Sequence, residues 1–186
     1  MEFVRQGHGV DFLLLTGESG GGKSTFMADL AMNMIEGSGA KVVFYFTGCT
    51  TESCSLSDML HSIYSETVRV LRPLSPEDSL LLPDENELHL HDLWPAINAL
   101  YSRADLRDRL PRLVIVLDAV NQLRDEPYME ECADLPSDLK WLPRTFPPRI
   151  RVVISCLPKC RMYEELIKRS SQDHVITVEP LTVEKR

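Results

Sequence analysis

Long hydrophobic runs are missing from this chain: no stretch approaches the ~20 consecutive apolar residues that cross a bilayer. Positive charge is also in deficit. Against 28 Asp and Glu stand 20 Lys and Arg, a formal net charge of −8. A field of that sign gives no general attraction to nucleic acid or to an anionic membrane, so neither partner is expected. Met1-Glu2-Phe3-Val4-Arg5 lacks the basic segment and apolar stretch of a secretory signal. The 5 cysteines are odd in number and scattered, which suits reduced thiols better than a disulfide framework. A cytoplasmic protein is the expectation. No internal repeat and no low-complexity tract is seen. With 186 residues, 44% hydrophobic and 26% charged, the composition fits one globular domain with a single substantial core.

What is present alternates between strand and helix patterns. Phe12 to Thr16 is a short apolar run bounded by turn residues, as for a strand buried on both faces. Lys41 to Phe46, Leu113 to Leu117, Arg151 to Ser155 and His174 to Val178 add four further strands, rich in Val, Ile and Phe. Phe26, Met27, Leu30, Ala31, Met34 and Ile35 recur at helical spacing as one apolar face, with Gly37 and Gly39 as the stop. Leu56 to Leu71 repeats the pattern with Ser55 as N-cap, and Leu90 to Tyr101 forms a third face. Shorter helices are expected over Ser137 to Leu142 and Arg161 to Lys168. Pro73 to Glu87 and Arg124 to Pro136 read as irregular loops. Strands joined through helices imply a mostly parallel sheet covered on both faces, an α/β fold.

The first strand runs into Gly17-Glu18-Ser19-Gly20-Gly21-Gly22-Lys23-Ser24, a complete phosphate-binding loop that opens the first helix. Glycine at 17 and 22 lets backbone N–H groups turn inward around a phosphate, and the helix start adds its positive dipole end. Lys23 is expected at the β- and γ-phosphates, the Ser24 hydroxyl on Mg²⁺, and Thr25 at the α-phosphate. The acidic partner is Asp118, delivered by five apolar residues to the C-terminal end of the third strand, where ligands bind in such sheets. It is expected to hold Mg²⁺ through water. Guanine recognition would call for an Asn-Lys-x-Asp run after a late strand. None is present, so ATP or ADP is the expected nucleotide.

From Asp118 onward a family resemblance emerges. LVIVLDAVNQL, from Leu113 to Leu123, is similar to the second nucleotide motif of NACHT-type STAND NTPases, signalling ATPases related to the AAA+ class. Phe44-Tyr45-Phe46-Thr47-Gly48, Leu139-Lys140-Trp141-Leu142-Pro143 and Arg151-Val152-Val153-Ile154-Ser155 resemble the nephrocystin-3-like, tetratricopeptide-repeat branch. The likeness runs from about Phe12 to Thr182, nearly the whole chain. It implies a three-layer P-loop NTPase core with a five-stranded parallel sheet of order 5-1-4-3-2. On this reading strand three lies next to strand one, with Asp118 facing Ser24. Ser155 would then stand at the sensor position for the γ-phosphate, or be an ordinary strand-end serine. Both readings stay open.

Three departures bear on activity. Many relatives carry two acidic residues after the metal-binding Asp, in a DGLDE-like pattern, where this chain has Asn121 and Gln122. A carboxylate accepts a proton from attacking water, whereas an amide only orients it. Gln122 is thus either a water-positioning residue in a slow hydrolase or, with Asn121, a turn residue. Leu157 stands where relatives have an arginine after the fourth strand; Lys159 and Arg161 are the nearby substitutes. The chain ends at Arg186, where the family continues into helical and winged-helix subdomains. That leads to the expectation of a 1–186 core lacking those subdomains, with an incomplete adenine pocket.

The remaining features read as structural. Cys49 and Cys54 with Cys156 and Cys160 are too loosely spaced for a zinc site, His89 and His91 are a surface pair, and Asp125 to Asp134 is a solvated acidic stretch. Trp94 and Trp141 fall on apolar patterns. Three functions compete. The first is a signalling switch controlled by ATP or ADP, with protein partners or self-association. The second is a small-molecule kinase using Arg103, Arg107, Arg109 and Arg112 as a lid, and the third an interaction module with degenerate nucleotide function.

Overall fold

The computed structural model describes residues 12–37, 39–71, 83, 89, 92–106, 109–124 and 139–179. Among them the apolar runs form five strands: β1 Leu13–Thr16, β2 Lys41–Phe46, β3 Leu113–Asp118, β4 Ile150–Cys156 and β5 Val175–Thr177. The α-helices are α1 Lys23–Gly37, α2 Leu56–Leu71, α3 Leu93–Ser102 and α4 Arg161–Arg169. The strands pair in the order β2-β3-β4-β1-β5, and every pairing is parallel. Read from the other side this is 5-1-4-3-2, as the family resemblance implied. One expectation is corrected: β4, not β3, is the neighbour of β1. Leu15 pairs with Ser155 and Thr16 with Cys156, so the tip of β4 separates the phosphate loop from Asp118.

Strand periodicity decides which face each residue serves. Leu113, Ile115 and Leu117 of β3 and Ile150, Val152 and Ile154 of β4 pack with α2, α3 and α4. Val114, Val116 and Val153 instead meet Met27, Leu30, Ala31 and Met34 of α1. All six residues of β3 are buried, because helices cover the sheet on both sides. Burying each Leu, Ile or Val of this kind contributes ~1.5–3 kcal/mol before chain entropy is counted.

Local signals set the helix ends. The Ser55 hydroxyl accepts the Asp58 N–H at 3.1 Å, the expected cap of α2. Past the end of α1 at Gly37, Gly39 turns left-handed at φ 64°. The buried face of α1 is narrower than its sequence suggested. Phe26 and Ile35 are 44% and 48% exposed, since each lies ~90° of helix rotation from the centre of the 27–30–31–34 stripe.

The expected helix at Ser137 to Leu142 is a turn over the described residues 139–142. Leu139 is left-handed at φ 55°, and its carbonyl and that of Leu142 accept the Arg169 guanidinium at 3.0 and 3.1 Å. A side chain of α4 thus takes the place of helical N–H donors. The third helix begins at Leu93; Leu90 and His91 lie outside the described residues. So do the acidic residues Asp125, Glu126, Glu130, Glu131 and Asp134 and, Pro83 apart, the 73–87 loop.

Candidate functional site

At the end of β1 the backbone leaves the sheet through Gly17. The segment after β5 lies close against it: the Val178 N–H donates to the Thr16 carbonyl at 2.7 Å. A Cβ at Gly17 would sit 2.5 Å from the Val178 carbonyl oxygen, so only glycine fits. Gly20 and Gly22 are left-handed at φ 73° and 90°, and a Cβ on either would meet nothing within 4 Å. The Gly21 N–H closes the turn on the Glu18 carbonyl at 3.2 Å, while Glu18 and Ser19 stay exposed. Lys23 folds back over the loop it ends. Its Nζ donates to the carbonyls of Gly17 at 2.7 Å and Glu18 at 2.8 Å, and the residue is 9% exposed. Ser24 and Thr25, in the first turn of α1, are exposed.

Asp118 ends β3 and Ser155 is the last residue but one of β4; they alternate in step with Val116 and Val153, which places both on the α1 side of the sheet. Asp118 is 3% exposed and Ser155 fully buried. The Ser155 hydroxyl donates to Asp118 Oδ1 and accepts the Ala119 N–H at 2.8 Å. Ala119 holds a left-handed φ of 53°, uncommon for a residue with a Cβ. On the other side, the Thr47 N–H donates to the Asp118 carbonyl at 3.1 Å. Asp118 is therefore fixed between the tips of β2 and β4.

The two amides after Asp118 differ in placement. Asn121 Oδ1 accepts the Leu157 N–H at 3.0 Å, joining the turn after β3 to the residue following β4. Gln122 is exposed, with its side chain lying over left-handed Gly48, where a Cβ would collide with the amide oxygen. The clamp made by Asn121 was not visible in the sequence, because its partner is 36 residues away. Asn121→Ala is expected to leave the Leu157 N–H unsatisfied and lower stability by about 1–2 kcal/mol in urea unfolding. Asn121→Asp, which keeps an acceptor oxygen, should recover most of that loss.

Mg²⁺ prefers hard oxygen ligands and keeps several waters. The Asp118 carboxylate and the Ser24 hydroxyl belong to that class. At the end of β1 and just after β2, Thr16 and Thr47 have buried hydroxyls without a hydrogen-bond partner among the described residues. Neither threonine was singled out from the sequence. The chemistry of these groups fits a magnesium–phosphate ligand. Among the described residues no group of three or more His, Cys, Asp and Glu is placed to hold a metal. Of the arginines considered for a kinase lid, Arg103 hydrogen-bonds Asp105 at 3.1 Å, and Arg107 lies outside the described residues.

The NACHT domain family model matches residues 11–186. The chain belongs to the NACHT family. Tetratricopeptide repeat protein 41 of Mus musculus is 28% identical to this NACHT domain over 158 residues, 84% of the chain, and the Rattus norvegicus protein matches equally. The chain spans 11% of the length of those relatives. Among solved structures, Cdc6p of Pyrobaculum aerophilum has a TM-score of 0.51 at 17% identity, covering 98% of this chain and 42% of that one. A Walker-type ATPase of Pyrococcus abyssi scores 0.52 at 12% identity, covering 99% and 52%. The ORC2 protein of Aeropyrum pernix, solved as ADPNP–ADP complexes, scores 0.50 at 14% identity, covering 99% and 47%. At these identities the likeness establishes the shared fold alone. No helix among the described residues of the NACHT domain is long and apolar enough to cross a membrane.

Proposed function

We propose that this NACHT domain binds ATP and ADP with Mg²⁺ and serves as a nucleotide-dependent signalling or assembly switch with slow hydrolysis. The observation that carries the reading is the closed phosphate loop with the buried Lys23 ammonium bonded to its carbonyls. In the bound state Lys23 would exchange those carbonyls for the β- and γ-phosphates. The N–H groups of Gly17 through Thr25, including those of Glu18, Ser19, Gly20, Gly21 and Gly22, would supply the cradle. Ser24 and Asp118 would hold the Mg²⁺, which supplies charge neutralisation between the phosphates.

Slow hydrolysis is supported by the residues around Asp118. Asn121 is engaged with the Leu157 N–H, and Gln122 is an amide, able to orient water without accepting its proton. Ser155, bonded to Asp118, acts as a positioning residue that ties the metal-binding carboxylate to the strand beside the phosphate loop. The repeat-containing relatives support partner proteins or self-association as the output of the switch; a cytoplasmic setting is part of the same proposal.

Calorimetric titration with ATP and ADP, with and without Mg²⁺, tests the reading. Binding that strengthens with Mg²⁺ is expected, together with little phosphate release over the same hours. Rapid turnover by the isolated chain would exclude a slow switch, and absence of heat with every nucleotide would exclude nucleotide binding.

A further inference from the structure

Two thiols meet beside the phosphate loop. Cys156 ends β4 in register with Thr16, and Cys160 stands four residues later, with the sulfurs 3.5 Å apart. Pro158 and the left-handed Lys159 (φ 63°) turn the chain back so that Cys160 faces the strand it has just left. Sequence-local cysteines do not meet by default; this turn brings them together. We propose that Cys156 and Cys160 form a dithiol modification site, closed to an intramolecular disulfide by hydroperoxides, that lowers nucleotide affinity. The effect on affinity rests on the nucleotide-binding reading above; the disulfide itself does not.

The two sulfurs have different surroundings. Cys160 is half-buried and caps α4: its Sγ accepts the Tyr163 N–H at 3.4 Å and donates to the Leu157 carbonyl at 3.2 Å. That half-exposed position leaves the Cys160 sulfur open to a small solute. Cys156 is fully buried. Burial pushes its thiol pKa up, the neighbouring Cys160 adds to the rise, and Lys23 opposes it. Cys160 is thus the sulfur an oxidant reaches first, and Cys156 the one that resolves.

The atoms balance with hydrogen peroxide as oxidant. The Cys160 thiolate attacks one peroxide oxygen, the O–O bond breaks, and hydroxide leaves to be protonated as water, giving a sulfenic acid on Cys160. The Cys156 sulfur attacks the Cys160 sulfur, the S–O bond breaks, and hydroxide carries off the Cys156 proton as a second water. Two thiols lose two electrons, and the peroxide gains them.

Closing the bond draws the sulfurs from 3.5 Å to about 2.05 Å. Cys156 is held in the sheet, so the movement falls on Leu157–Cys160 and the first turn of α4. Leu157 is the partner of Asn121, and Asn121 belongs to the turn that follows Asp118. The nucleotide site lies on either side of the strained turn.

The test is oxidation of the reduced chain with hydrogen peroxide, alkylation of remaining thiols, and tryptic mass mapping, followed by ATP titration of both forms. Trypsin cuts after Lys159, so the disulfide joins two peptides that a reductant separates. A linked Cys156–Cys160 pair and affinity weaker on the order of fivefold, restored by reductant, are expected. Cys160→Ser keeps a helix-capping side chain and should bind ATP normally while its affinity ignores peroxide. Both thiols alkylated after treatment, or Cys160 linked to Cys49 instead, would overturn the site. A disulfide without change in affinity would overturn the coupling. A disulfide in a chain that binds no nucleotide would uphold the site and defeat the nucleotide reading.

Discussion

Replacing Lys23 with alanine is expected to weaken ATP binding by about a hundredfold or more, which corresponds to at least ~2.7 kcal/mol. Charge-assisted hydrogen bonds contribute ~1.5–3 kcal/mol each, and Lys23 is proposed to make at least two to phosphate. The ammonium is already placed. Its partners without ligand are the Gly17 and Glu18 carbonyls, so binding exchanges one pair of acceptors for another. Calorimetry with ATP on the wild type and Lys23→Ala reads the effect, with thermal melting as the control for folding. Lys23→Arg is not expected to restore affinity, because a planar fork cannot occupy the position of a compact ammonium. Unchanged affinity in Lys23→Ala would favour an interaction module over a nucleotide switch.

Gly17→Ala is expected to carry the largest stability cost of any single methyl added to the loop. The new Cβ meets the Val178 carbonyl oxygen at 2.5 Å, and that oxygen is backbone, anchored by the Val178 N–H to Thr16. Either the loop or the segment after β5 must move. A loss of about 2–4 kcal/mol follows from overpacking of this kind, which lowers Tm by roughly 5–15 °C for a chain of this size. Gly20→Ala provides the contrast. Its Cβ has open space, so the cost reduces to the left-handed conformation, about 1–2 kcal/mol. Thermal unfolding of the two variants side by side checks both values, and equal losses would contradict the contact with Val178.

Much of this architecture was legible before any coordinates. The five apolar residues ahead of Asp118 specify a strand buried on both faces, and β3 is such a strand. The glycine-rich run specifies a phosphate loop between strand and helix, and β1 and α1 flank it as expected. Strand order came from the family resemblance rather than from periodicity, and the neighbour of β1 was misjudged even so. Periodicity reports which face a residue serves and says nothing about which strand lies alongside. Phe26 and Ile35 were misread because an apolar residue at the margin of a helical stripe looks the same in sequence as one at its centre. Leu139 was misread because the donor for its carbonyl, Arg169, lies 30 residues on. The contacts within and beside the site were hidden for the same reason. Ser155 with Asp118, Asn121 with Leu157 and Cys156 with Thr16 are all pairs that only the parallel sheet brings together.

That sheet also has a temporal consequence. β1 is nearly the first described segment, yet both its neighbours come late: Leu13 pairs with Val153, about 140 residues downstream, and Leu14 with Val175. A ribosome adding roughly 5–20 residues per second would expose β1 and its glycine loop for many seconds before either flanking strand emerged. During that interval β2 and β3 can pair, while β1 waits as an apolar segment without a partner. The phosphate loop would therefore be the last part of the sheet to be secured during synthesis, although it is the first part to be made.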